Sequence, residues 1–231
     1  MTTLINKLQA ILTNIQTLNL DANTLKNLKV LAVSKAQSAA TIRQAYDAGL
    51  HLFGENYLQE ALEKQAQLTD LNIEWHFIGP IQSNKTQLIA QQFMWVQSVD
   101  RLKIAQRLSD ARPANMAPLQ VCLQVNISGE QSKSGVEPSE LIELAKSITA
   151  LPRLKLRGLM AIPAPTINVE EQKLQFKQVK QCFDVLVAEG FNIDTLSMGM
   201  SDDYLAAIEQ GATMIRIGSG LFGARQYSTK L

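Results

Sequence analysis

Apolar positions along this chain follow two periods that take turns. Short runs rich in Val, Ile, Leu, Phe and Met, the mark of strands buried on both faces, lie at residues 29–34, 51–54, 74–79, 94–98, 119–127, 154–161, 195–198 and 213–217. Between them apolar residues recur every three or four positions, which predicts helices at 39–48, 57–68, 84–92, 101–110, 139–150, 169–189 and 202–209. A leading helix is predicted at 4–18, with Leu4, Ile5, Leu8, Ile11, Leu12 and Ile15 at helical spacing among Asn, Lys, Gln and Thr. Pro138 and Ser139 mark one helix start, and Gly190 stands just past the end of the longest helix. Strands alternating with helices imply right-handed crossovers and a parallel sheet. An open doubly wound sheet and a closed barrel both fit alternation. Eight units in 231 residues, near the barrel norm of about 250, favour a single (β/α)8 TIM barrel with a leading N-terminal helix. The expected domain is 1–231, with the barrel core at about 28–225.

Composition narrows the function. Hydrophobic residues make up 46% and charged residues 19%, as in a packed globular domain. The formal net charge of +1 provides no field for a nucleic-acid backbone or an anionic membrane, so neither is expected as a partner. Cys122 and Cys182 form no CxxC pair, which argues against a disulfide framework or a structural zinc site. His51 and His76 are too few for a three-histidine metal centre, and His76 is expected to hydrogen-bond within the barrel wall. No apolar run approaches the roughly 20 residues that span a bilayer, and the start lacks the core of a signal peptide, so a cytoplasmic location is expected.

In a barrel the chemistry sits where strands end. Lys35 closes the run LKVLAVSK. At a barrel mouth, partly removed from water, its neutral amine becomes available to condense with a carbonyl; the bland alternative is the first solvated residue after a strand. SMGMSDD follows the seventh strand and RIGSGLFGAR contains the end of the eighth, the two loops in which barrels frequently bind phosphate. Glycines let backbone N–H groups approach an anion, Ser201 and Ser219 add hydroxyls, and the helix opening after Ser201 points its dipole there. Arg216, inside the apolar run MIRIG, must either pair with an acid or face a ligand as a fixed donor. An amine, a phosphate cup and an arginine for a ring nitrogen together describe pyridoxal 5′-phosphate, PLP. A barrel aldolase whose Lys35 attacks a phosphorylated sugar directly is the reading that needs no cofactor.

The segments AVSK, FGENYLQE, EWHFIGPIQSNK, SVDRLKIAQRL, VNISGEQSKSG, PRLKLRGLMAIP, DTLSMGMSDD and MIRIGSGLFGAR resemble, in order, the motifs of the pyridoxal-phosphate homeostasis proteins, YggS-like or PROSC-like. The resemblance runs from about residue 28 to 225. It implies a barrel related to the N-terminal domain of alanine racemase, binding PLP as a Schiff base without established turnover. Lys35 would then hold the aldehyde, Asn56 would lie beside the cofactor, and Met160 would pack near its ring. Ser201, Gly218 and Ser219 would hold the phosphate, and Arg216 would face the pyridine nitrogen, leaving the ring a weaker electron sink than an acid would. Two positions depart from the common family form, Ala36 after the lysine where Thr is usual and Ser219–Gly220 where Thr–Ala is common. Buffering or delivery of PLP is the implied role, with apo forms of PLP-dependent enzymes as recipients and a monomer as the expected state. A weak amino-acid racemase or lyase is the alternative. It would need a second base, and Tyr57 and Tyr204, the tyrosines nearest the rim, are expected to serve helix-start packing instead. Lys85 and Lys133 are expected to be solvated charges on rim loops.

Overall fold

Eight parallel strands pair in chain order and close on themselves in a computed structural model that describes residues 3–128 and 134–223. They are β1 (Lys29–Val33), β2 (Leu52–Glu55), β3 (Glu74–Phe77), β4 (Trp95–Val99), β5 (Leu119–Gln124), β6 (Leu154–Met160), β7 (Thr195–Ser197) and β8 (Met214–Ile217). The closing seam joins β1 to β8 in a register running from Lys29 opposite Met214 to Ala32 opposite Ile217. The last strand therefore lies beside the first, as a barrel requires.

The helices are α1 (Leu4–Gln16), α2 (Ala22–Asn27), α3 (Ala39–Asp47), α4 (Leu58–Gln67), α5 (Thr86–Gln92), α6 (Leu102–Ala111), α7 (Leu141–Thr149), α8 (Val169–Ala188), α9 (Tyr204–Glu209) and α10 (Ser219–Phe222). Each element that the periodicity predicts is present, within a few residues at its ends. Two short helices escaped prediction for a physical reason. α2 buries no residue, so it carries no apolar stripe; Asp21 caps it by accepting from the N–H groups of Asn23 and Thr24. α10 is four residues long inside a glycine-serine run. Ser139 is not a helix cap, because Pro138–Glu140 form a 3-10 turn and α7 begins only at Leu141. Gly190 does sit in the left-handed region just past α8, at φ 89°.

Most of the core lies between the barrel's outer face and the helices, where Phe53, Phe93, Phe176, Ile42, Ile104 and Ile148 are fully buried. Each such side chain contributes about 1.5–3 kcal/mol. Leu8, Ile11 and Ile15 form the buried stripe of α1. Inside the barrel are two smaller apolar clusters, Leu31, Val33, Ile78 and Met214, and Trp95, Cys122 and Met160. Both cysteines are free, and burial pushes the Cys122 thiol up to about 12, which makes it inert. Among the described residues no helix is long and apolar enough to cross a membrane.

Candidate functional site

At the C-terminal ends of the strands the barrel opens on a cavity of about 240 Å3. Lys35, Asn56, Ser201, Arg216, Gly218 and Ser219 all line it, although they come from opposite ends of the chain. Met160 does not. It is fully buried in the cluster with Trp95 and Cys122, and Ile162, two residues on, is the β6-side residue that reaches the cavity. A larger cavity of about 400 Å3 lies between α7 and α8, lined by Leu141, Ile142, Cys182 and Val185 among others, and holds no charged group. Burial pushes the Cys182 thiol up, which disfavours its thiolate.

Lys35 is half-buried and stands on a held segment of backbone. Ala36 after it has φ 61°, a left-handed conformation that a non-glycine residue keeps only when its surroundings impose it. Four side chains hold it. The Ala36 N–H donates to Glu60 Oε1 at 2.5 Å, and the Ser34 hydroxyl donates to Glu55 Oε1 at 2.6 Å. Lys64 Nζ donates to the Ser34 carbonyl at 2.7 Å, to Glu55 at 2.7 Å and to Glu60 at 2.5 Å. Lys64 is 5% exposed and Glu55 is fully buried, so their attraction is little screened. Burial nevertheless holds the Glu55 carboxyl above the ordinary range, against the pull of Lys64.

Asn56 follows Glu55 as β2 ends. A side chain at Gly79 would place its Cβ 2.0 Å from the Asn56 carbonyl oxygen, so only glycine lets the chain after β3 come this close. The Asn56 Oδ1 is buried with no hydrogen-bond partner, an acceptor that a donor in the cavity would satisfy.

Arg216 lies on β8 opposite Leu31, and no carboxylate contacts it among the described residues. The structural ion pair considered from the sequence is therefore not formed. Its Nη1 donates to the Ser197 carbonyl at 2.7 Å and hydroxyl at 3.0 Å, and Nη2 donates to the Ala161 carbonyl at 2.8 Å. A guanidinium has five N–H groups. Its Nε–H and one Nη2 hydrogen thus have no protein acceptor among the described residues, on a side chain that lines the cavity. Burial lowers the guanidinium to about 10, and it stays charged at neutral pH.

The loops after β7 and β8 are tied together by Ser201, whose Oγ accepts from the N–H groups of Gly218 at 3.3 Å and Gly220 at 3.0 Å. The backbone N–H groups of Ser201 and Ser219 take no protein acceptor among the described residues. The helix expected right after Ser201 starts later: residues 201–203 form a turn and α9 begins at Tyr204, so Ser201 lies in a loop and not at the end of α9. A Cβ at Gly220 would lie 3.3 Å from the Ser201 hydroxyl, so glycine leaves that hydroxyl room to receive both N–H groups. Tyr204 is buried and accepts from Asn14 Nδ2 at 3.1 Å, while Tyr57 is exposed ahead of α4. Lys85 is exposed on a 3-10 turn; Lys133 lies outside the described residues.

The chain is similar to known proteins over most of its length. A sequence model of the family described as alanine racemase, N-terminal domain, matches residues 7–226. A pyridoxal phosphate homeostasis protein of Pseudomonas aeruginosa is 61% identical over 198 residues, 86% of this chain and 85% of that protein. The chain belongs to the pyridoxal phosphate homeostasis family. PipY of Synechococcus elongatus, solved with PLP bound, superposes with a TM-score of 0.85 at 34% identity, covering 96% of this chain and all of PipY. Alanine racemase of Clostridium difficile shares the fold at 18% identity, with a TM-score of 0.74 over 95% of this chain and 59% of the racemase.

In this homeostasis-family chain the residues that sequence reasoning missed lie behind the cavity: Glu60, Lys64 and Gly79. One signal for Lys64 is present in the sequence. It falls three residues after Ala61 and six after Leu58, on the face of α4 that is buried. A lysine on an apolar stripe calls for an acid.

Proposed function

We propose that this chain binds PLP at the barrel mouth and holds it on Lys35 as a reversible store for PLP-dependent enzymes. The observation that carries the reading is the convergence in one cavity of an amine, an unsatisfied buried acceptor and several unused donors. The relatives' name and the PLP-bound PipY support it.

PLP supplies an aldehyde, a phosphate and a basic ring nitrogen, and this chain has a group for each. When bound, PLP would supply an aldehyde able to condense reversibly with an amine and release water, and Lys35 would be the amine that holds it. The N–H groups and hydroxyls of Ser201 and Ser219 would receive the phosphate, with Gly218 letting the backbone approach it closely. The unused Arg216 hydrogens donate to the ring nitrogen, and Asn56 Oδ1 accepts from the bound group. Arg216 is a permanent donor and leaves the ring nitrogen unprotonated, which suits retention better than carbanion chemistry. Met160 has no part in this set. The chain acts as a monomer, and apo forms of PLP-dependent enzymes are its recipients.

Borohydride reduction of protein incubated with PLP tests the reading. Stable labelling of the Lys35 peptide is expected, with none in Lys35→Ala; labelling elsewhere only would overturn it. Incubation with amino acids in deuterated water separates storage from catalysis, because steady Cα–H exchange dependent on Lys35 would establish a racemase or lyase. Transfer to an apo-enzyme faster than spontaneous release would show delivery beyond storage.

A further inference from the structure

Below the cavity, polar side chains run the length of the barrel interior. Ser197, Gln97 and His76 are each fully buried, and Arg216 is 3% exposed. From Arg216 Nη1 the contacts pass to Ser197 Oγ at 3.0 Å, from Ser197 Oγ to Gln97 Oε1 at 2.7 Å, and from Gln97 Nε2 to His76 Nδ1 at 2.9 Å. The last passes from His76 Nε2 to Glu74 Oε1 at 2.9 Å. Glu74 opens β3 and is 34% exposed at the barrel's N-terminal end, opposite the cavity. Four strands, β8, β7, β4 and β3, contribute to this one file.

Its polarity follows from its two ends. A guanidinium can only donate, so Ser197 Oγ accepts from Arg216 and gives its one proton to Gln97 Oε1. The amide then presents its NH2 group to His76, with its second hydrogen on Met214 Sδ at 3.1 Å. His76 Nδ1 must therefore be bare, which puts the imidazole hydrogen on Nε2, aimed at the Glu74 carboxylate. That carboxylate can only accept. Turning Gln97 over would require a hydrogen on His76 Nδ1 and would leave Nε2 facing Glu74 with two acceptors opposed, unless the His76–Glu74 pair took up another proton. With His76 neutral and Glu74 ionised, one orientation satisfies every group.

We infer that the file Ser197–Gln97–His76–Glu74 positions Arg216, and so sets the cavity's grip on a pyridine nitrogen, from the far end of the barrel. This rests on the proposed placement of the ring nitrogen at Arg216. The geometry gives the file its hold. Arg216 has no contacting carboxylate, its only acceptors among the described residues are Ala161 O and the two oxygens of Ser197, and the Ser197 hydroxyl is oriented by Gln97. The groups that face His76 are Glu74 from β3, Lys29 from β1, and Gln97 and the Trp95 ring from β4, the ring stacked at 5.1 Å. Arg157 from β6 lies over the other part of that environment, 4.8 Å from the Trp95 centroid.

The test compares PLP with 1-deazapyridoxal 5′-phosphate, in which carbon replaces the ring nitrogen. Wild-type protein is expected to bind PLP roughly tenfold more tightly, the size of one charge-assisted hydrogen bond. Gln97→Met, which keeps the bulk and removes both polar ends, is expected to bring that ratio to within about threefold while affinity for the deaza analogue changes less than about twofold. A large wild-type ratio that survives in Gln97→Met overturns the inference and leaves the Arg216 reading intact. A wild-type ratio near one overturns the Arg216 reading and the inference with it. Should Gln97→Met fail to fold, nitrogen NMR of the wild-type protein decides, with His51→Gln assigning the two imidazoles. A neutral His76 with hydrogen on Nε2 is expected at pH 7.5; hydrogen on Nδ1 overturns the inference.

Discussion

Two buried polar assemblies reach the same cavity from different sides, and they are built on opposite principles. Behind β1 and β2, Glu55, Glu60 and Lys64 form a charged triad that grips main chain, at the Ser34 carbonyl and the Ala36 N–H on either side of Lys35. Inside the barrel, neutral Ser197, Gln97 and His76 form a file that grips a side chain, Arg216. A strained backbone needs strong, charge-assisted bonds to stay in place. A guanidinium meant to serve a ligand needs neutral acceptors instead, because a carboxylate in contact would satisfy its hydrogens and compete with the ligand. The cavity thus has a rigid floor under its amine and an arginine whose remaining donors stay available.

The largest expected effect breaks the charged side. Lys64→Met leaves Glu55 buried without its cation and should cost about 3–5 kcal/mol in urea unfolding; a loss under about 1 kcal/mol would mean that the triad holds nothing. Gly79→Ala drives a Cβ into the Asn56 carbonyl, 2.0 Å away, and should cost about 1–3 kcal/mol together with weaker PLP binding. Unchanged binding would detach Asn56 from the site.

Acid should break the neutral side. Burial holds the His76 imidazole below its ordinary 6.5, so the unfolded chain binds more protons than the native one once the pH drops under that value. The contribution is present above pH 6.5 and is lost as pH falls through the folded value, with a slope of up to about 1.4 kcal/mol per pH unit. Urea titrations between pH 7 and 5 should show wild-type protein losing stability more steeply than His76→Gln; parallel slopes would mean that His76 is not a buried neutral group. The smallest effect sharpens the comparison at the loops. Ser201→Ala removes one acceptor for the Gly218 and Gly220 N–H groups and should cost about 0.5–1.5 kcal/mol, read from thermal melts and from PLP affinity.

Most of the cavity's lining is legible in the sequence, because barrel chemistry collects where strands end and strands show in the hydrophobic period. Lys35, Asn56, Ser201, Gly218 and Ser219 each follow such a run, and Arg216 stands out as the one charge inside the last of them. Met160 stands apart from the lining for a related reason. It belongs to the same run as the rim residues of β6, but its side chain packs with Trp95 and Cys122, and alternation along the strand passes the cavity to Ile162. His76 is expected to bond locally in the wall, and it does reach Glu74 two residues away. Its second partner, Gln97, comes from the next strand and has no signal in the sequence.

Local periodicity by itself determined the number and order of strands and helices, and therefore which loops share a rim. Each of those choices is made within a dozen residues by which face is apolar. Only the closed tertiary structure decided which polar groups satisfy one another. Ser197 meets Gln97 across 100 positions of sequence, and Arg216 meets Ala161 across 55. Such pairings depend on barrel register and on which side chains turn inward at the same height, quantities that exist only once the eighth strand has closed against the first.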